Sequence, residues 1–431
     1  MKKKKSFFKK TLPNGLRVIV APMKATQAVT LLVLVKTGSK YETLRTNGVS
    51  HYLEHLFFKG TTKRPRPEQI ARELDRMGAQ FNAFTLKETT GYWVKSAAKH
   101  FDTSLDIIAD ILLDPLFQKE EIEKERGVII QELLMYEDMP QRKVFDVWEE
   151  LLYGNQPSGW PIGGTAETMR GIKRNDIIKY RESQYVATNS VVVVAGNIDG
   201  DTAFRKIRKA FFTFKRGRPR GKVAVKEHQV RPAQKIFTKK TEQSHLVVGA
   251  RAYDMYDRRK YALGLLSDIL GGTMSSRLFV EIRERLGLAY YVQSGVESYT
   301  DSGYILARAG VTHGSVKLAA EKMLEQMFDL KLSGPTDEEL AFAKDHLRGS
   351  LALSFESSDD IAQFYAEREL FYKDIKPPEE LLREFEKVTK NDIIEVARDV
   401  FNPKKINFAL VGPRASVNLS TLIKHASRYK K

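Results

Sequence analysis

The chain repeats itself at an offset of 216 residues, half of its 431. Ile172-Lys-Arg-Asn-Asp-Ile-Ile-Lys-Tyr180, continuing to Asn189-Ser-Val-Val-Val-Val-Ala-Gly196, aligns without gaps on Val388-Thr-Lys-Asn-Asp-Ile-Ile-Glu-Val396, continuing to Lys405-Ile-Asn-Phe-Ala-Leu-Val-Gly412. Each copy reads as a helix opened by Asn-Asp, then a short buried strand of branched residues ending at glycine. At the same offset Gln27-Ala-Val-Thr-Leu-Leu-Val33 falls on Gln243-Ser-His-Leu-Val-Val-Gly249, another pair of strand-like runs. The repeat implies two homologous domains, over 1–214 and 233–431, joined by a basic linker at 215–232. A hydrophobic content of 42% is enough for both to bury cores.

Within the first half, Leu12-Pro-Asn-Gly15 carries a turn signal leading into a strand, and Gln27 to Lys36 reads as a buried strand. Residues 48–59 and Pro67 to Met77 read as helices, the second with proline placed for a first turn. Gln80 to Leu86 and Thr89 to Ser96 alternate as a strand pair, and helical periodicity runs from about Lys99 to Leu152 with breaks at Asp114-Pro115 and Met139-Pro140. This mixture predicts an α+β fold, each repeat a mostly antiparallel sheet with packed helices.

The first half also contains Gly48-Val-Ser-His-Tyr-Leu-Glu-His-Leu-Phe-Phe-Lys-Gly60. On a helix, residues four apart share a face, so His51 and His55 can offer nitrogens to one metal ion while Glu54 lies beside them. The order His-x-x-Glu-His reverses the commoner His-Glu-x-x-His of zinc proteases and is the inverzincin pattern. With eight histidines in the chain, chance produces such a pentad in roughly a few chains per thousand. A catalytic zinc takes three protein ligands and keeps one open position. The chain has no cysteine, so the third ligand is nitrogen or oxygen. In the charged helical stretch Gln118 to Met135, Glu125, Ile129 and Glu132 fall on one stripe, a pattern that suits surface charge as well as it suits a ligand. The repeat offset carries His51 to Ser267, Glu54 to Leu270 and His55 to Gly271, so the second half has no metal motif.

His51-x-x-Glu54-His55, followed by 76 residues and then Glu132, resembles the pattern of the pitrilysin family of zinc peptidases, in its short-chain form similar to mitochondrial processing peptidase subunits. The resemblance implies one zinc ion per chain, with His51, His55 and Glu132 as ligands, Glu125 orienting a ligand from behind, and Glu54 as general base. Phe58 and Gly60-Thr61 match the residues found just after the motif in the family. Asn82, Ala83, Phe84 and Thr85 match an edge strand on which a peptide substrate adds. Arg283 and Tyr290 have the spacing of an arginine and a tyrosine that reach the substrate; judged alone, Arg283 reads as a surface residue and Tyr290 as a core aromatic. The resemblance further implies that one chain is half of a clamshell. Two chains would then enclose a chamber in which peptides or unfolded segments are hydrolysed, as a homodimer or a heterodimer with a paralogue.

A net charge of +17 invites a nucleic-acid or membrane-surface reading. Arg216-Gly-Arg-Pro219 has the core of a minor-groove AT-hook, but a Pro/Gly/Arg stretch at mid-chain reads more simply as a linker, and no specific nucleic-acid partner is expected. The lysine-rich start has no apolar core of signal-peptide length, and no apolar run approaches 18 residues. Together with the cysteine-free composition, this predicts a cytoplasmic protein without a membrane span. A non-catalytic scaffold subunit of the same fold is the alternative to an enzyme.

Overall fold

The computed structural model describes residues 7–372, 374–413 and 417–427. Residues 1–6 of the lysine-rich start and Lys430-Lys431 lie outside the described residues. The chain divides into two compact units, one made of Met1–Leu133, Pro161–Val223 and Ser350–Pro377, the other of Leu134–Trp160, Ala224–Gly349 and Pro378–Lys431.

The first unit is built on a six-stranded sheet of β1 (Phe8–Thr11), β2 (Arg17–Pro22), β3 (Ala28–Val35), β4 (Gln80–Thr85), β5 (Thr90–Ala97) and β6 (Ser190–Gly196), in the order β1-β2-β6-β3-β5-β4. Every pairing is antiparallel except β2 with β6. The apolar run Leu31–Val35 of β3 has a simple cause: both faces of the sheet are covered. Leu31, Val33 and Val35 point into one core with the helices Val49–Leu56 and Phe101–Leu113, whereas Leu32 and Leu34 meet Ala362, Tyr365 and Ala366 of the helix Ser358–Phe371.

The second unit repeats the plan with β7 (Ala233–Thr238), β8 (Ser244–Arg251), β9 (Ala289–Ser298), β10 (Gly303–Val311) and β11 (Ile406–Gly412), ordered β7-β11-β8-β10-β9. The strands β2, β3 and β6 correspond residue for residue with β7, β8 and β11 at the 216-residue offset, and the parallel pairing Arg17↔Val191 recurs as Ala233↔Asn407. The hairpin slips to an offset of 213, Thr90 matching Gly303 as the start of its second strand. One face of this sheet packs Val247, Leu306 and Ala409 against Val144, Val147 and Trp148 of the helix Pro140–Tyr153. Each unit thus takes one covering helix from the opposite half of the sequence. Among the described residues no helix is long and apolar enough to cross a membrane.

Candidate metal centre

The helix that carries the two histidines is only eight residues long, Val49–Leu56, and would be marginal alone. Burial of Val49, Tyr52, Leu53 and Leu56 fixes one face. The hydroxyl of Tyr52 donates to the carbonyl of Ile122, tying it to the long helix Lys119–Glu137. At its start Gly48 has φ +97°, a left-handed conformation, and a Cβ there would lie 2.5 Å from the carbonyl oxygen of Gly163. No side chain at the N-cap position serves the free N–H groups. The buried carboxylate of Glu42 takes that role: Oε2 accepts from Gly48 N at 2.7 Å and Asn47 Nδ2 at 2.9 Å, and Oε1 from Ser50 N at 2.8 Å. An acid at a helix N-terminus also meets the favourable end of the dipole. Burial still pushes Glu42 up to about 7, against the pull of these donors. Sequence reasoning missed Glu42; the available signal was a helix start without a local Ser, Thr, Asp or Asn cap.

His51 and His55 meet edge to face, ring centroids 4.8 Å apart. Their Nε2 atoms are 3.3 Å apart. Oε2 of Glu132 lies 3.4 Å from His55 Nε2 and 3.7 Å from His51 Nε2. Four ligands placed tetrahedrally at zinc distances of 2.0–2.1 Å stand about 3.3–3.4 Å from one another. The observed triangle therefore fits a single zinc ion with one position left over. With both rings deprotonated, two imidazole lone pairs and a carboxylate oxygen this close repel unless a cation lies among them. Among the described residues these three form the one group able to hold a metal. Gly163 closes over His51, where a Cβ would come within 3.4 Å of Nδ1.

Glu125, one helical stripe from Glu132, is buried behind His55, with Oε2 3.2 Å from its Nδ1 and Oε1 2.8 Å from Nζ of Lys59. Burial would raise the Glu125 carboxyl, but His55 and Lys59 outweigh it and hold it low. Burial works against charge on His55 as well, and Glu125 and Glu132 prevail, pushing it up to about 9. Engaging Nδ1 leaves Nε2 directed at the triangle. The part played by Lys59 was not foreseen from sequence.

Glu54 stands on the same helix outside the triangle. Burial raises its pKa, with the charge of Glu132 in the same direction and the Thr85 hydroxyl and His55 against it. Phe58 is half-buried, its ring 6.3 Å from Phe81 and 6.5 Å from Tyr92. Asn82, Ala83, Phe84 and Thr85 lie on β4, the last strand of its sheet, paired on one side by β5. Arg283 and Tyr290 belong to the other compact unit. They meet there, the guanidinium 5.1 Å from the Tyr290 ring and 4.8 Å from Phe279. Tyr290 is 78% exposed on β9, so the core position suggested by its surroundings in sequence is corrected: its side chain alternates outward at the sheet edge. At the duplicated positions the second half has buried Leu270 where the first has Glu54, and Ser267, bonded to Ser294 at 2.7 Å, where the first has His51.

Residues 17–166 match the family Insulinase (Peptidase family M16), and residues 171–347 match the Peptidase M16 inactive domain. The chain belongs to peptidase family M16, which bears out the pitrilysin-type resemblance and the α+β repeat fold. Its relatives include an uncharacterised zinc protease of Bacillus subtilis (strain 168), 36% identical over 408 residues that span 94% of this chain and 98% of the relative. A second, from Streptomyces coelicolor, is 33% identical and covers 96% of this chain and 91% of its own. Among solved structures, a protease from Helicobacter pylori has a TM-score of 0.88 at 24% identity, covering 94% of this chain and 99% of that one. A peptidase M16 inactive domain from Pseudomonas fluorescens has a TM-score of 0.87 at 18% identity, covering 96% and 99%. These two likenesses concern the fold alone.

Proposed function

We propose that the chain is a zinc-dependent endopeptidase, holding one ion per chain through His51, His55 and Glu132. The observation that carries this reading is the donor triangle of 3.3, 3.4 and 3.7 Å with Glu54 beside it and outside it. When bound, zinc supplies Lewis acidity to a water and to the scissile carbonyl. Glu54, its basicity raised by burial, takes the proton from the attacking water and passes it to the leaving amine, a role worth roughly 10²–10⁴-fold. Glu125, clamped by Lys59, keeps His55 in the tautomer and orientation that the triangle needs.

The free edge of β4 takes an extended peptide by backbone pairing, with Asn82 to Thr85 along it and Phe58 in the apolar floor. Edge pairing reads backbone and not side chains, which suits varied peptides or unfolded segments. Arg283 and Tyr290 bind substrate or the developing oxyanion. Because one chain carries both this pair and the His/Glu centre, the chain works as a homodimer around an enclosed chamber, each second domain serving the partner's centre. The domain limits 1–214, 215–232 and 233–431 describe the duplication behind this division, and the cysteine-free composition suits the cytoplasm.

Metal analysis of the purified protein, with peptide cleavage assayed before chelation, after it and after zinc is restored, tests the reading. One zinc per chain and a chelator-reversible cleavage are expected. Cleavage indifferent to chelation would refute it.

A further inference from the structure

From Thr202 to Lys226 the chain has ten lysines and arginines and no acidic residue. The helix Gly200–Ala210 buries Ala203, Phe204 and Ile207. Its opposite face shows Arg205, Arg208 and Lys209, and Phe212 extends the same i, i+3, i+4, i+7 stripe just past the helix. Phe212 is 79% exposed. Its position is fixed by the surrounding turn, whose carbonyls at Phe211 and Phe214 both accept from Asn14 Nδ2 at 3.0 Å.

The following segment is neither helix nor strand and is held to the protein by its backbone. The carbonyl of Lys215 accepts from Ala187 N at 2.9 Å, that of Gly217 from the Thr188 hydroxyl, and that of Arg220 from Gln184 Nε2 at 3.1 Å. The side chains of Lys215, Arg216, Arg218 and Arg220 are left exposed. Neighbouring acids are already engaged elsewhere: Asp201 with Lys10, Asp102 with Lys206, Glu88 with Lys40 and Lys222. Among the described residues none of the seven cations of this face has a carboxylate partner.

We propose that this face docks on an anionic phospholipid bilayer, the cations meeting the headgroups and Phe212 entering the interface. Clusters of four to eight lysines and arginines with an amphipathic face suit acidic headgroups, each contributing about 1 kcal/mol, roughly fivefold in partition. Two observations favour lipid over nucleic acid. A single-strand binder stacks successive bases on several rings, and Phe212 is the one ring exposed along 202–226. A minor-groove hook must bury its Gly-Arg core in a groove about 6 Å wide, whereas Gly217 faces Val186, where a Cβ would approach to 2.6 Å, and its carbonyl is occupied. The docking is independent of the zinc chemistry.

The test is sedimentation of the full chain with vesicles of phosphatidylcholine containing about one-third phosphatidylserine, beside pure phosphatidylcholine vesicles. Binding is expected to the anionic vesicles alone and to be released by about 1 M salt. Arg208→Gln with Lys209→Gln should lower the partition about 25-fold, and Phe212→Ala several-fold without changing the salt response. Removing two exposed cations elsewhere, Lys317→Gln with Arg383→Gln, should leave it within about twofold. An equal loss in that control, equal binding to neutral vesicles, or a tighter association with single-stranded RNA or AT-rich duplex that displaces vesicles would overturn the proposal. All five positions are solvent-exposed, and unchanged thermal unfolding of the variants verifies that folding is intact.

Discussion

Replacing Glu42 by glutamine keeps the side chain's volume and removes its charge at the start of the helix that carries His51 and His55. In the native chain this carboxyl has been pushed from an ordinary 4.5 to about 7, chiefly by burial. Between those two values the folded state holds a proton that the unfolded state has released. Stability contributed by the group is therefore full below about 4.5 and is lost as pH rises toward 7. At 1.36 kcal/mol for each unit, the native chain should lose about 3 kcal/mol relative to Glu42→Gln across that window, in addition to a pH-independent difference from changed hydrogen bonding. That constant part is a destabilisation of about 1–3 kcal/mol, because the new amide must set its NH2 either against the donors of Gly48 and Asn47 or against that of Ser50. Urea unfolding of both proteins at a series of pH values from 4.5 to 8 measures the difference, all shared titrations cancelling. A difference that stays flat, or that moves in favour of the native chain as pH rises, would refute the reasoning.

Glu54→Gln should bind zinc stoichiometrically by metal analysis while hydrolysis falls by about 10²–10⁴-fold; loss of metal would make Glu54 a ligand. Lys59→Met should weaken zinc by about tenfold or more in a chelator competition, and Lys59→Arg by less, because only a cation holds Glu125 against His55. Glu132→Ala should remove zinc from the purified protein, since it leaves two nitrogens where a closed triangle stood. Mixing Arg283→Ala with Glu54→Gln chains should restore about half the native activity per mixed dimer, one site then carrying both lesions and the other neither; no recovery after demonstrated subunit exchange would show that Arg283 serves its own chain.

Short-range geometry and duplication are the parts of this protein that can be read in the sequence. The helical period by itself places His51 and His55 on one face. The 216-residue offset pairs β2, β3 and β6 with β7, β8 and β11, because equivalent sequences bury equivalent strands. The charged stripe of Glu125 and Glu132 was equally visible, but its direction was not, and only the family resemblance chose between ligand and surface. Folding decided that Glu132 closes the triangle, that Lys59 clamps Glu125, and that Glu42 reaches from outside the helix to its first turn. The apolar run of β3 likewise announced two covered faces without naming the helix Ser358–Phe371 as the cover. Tyr290 carried a core-like sequence context and emerged at a sheet edge. The physical reason is common to all of these: hydrophobic burial is non-directional and names no partner, and a polar contact between residues far apart in sequence exists only once the packed cores have brought them within about 3 Å.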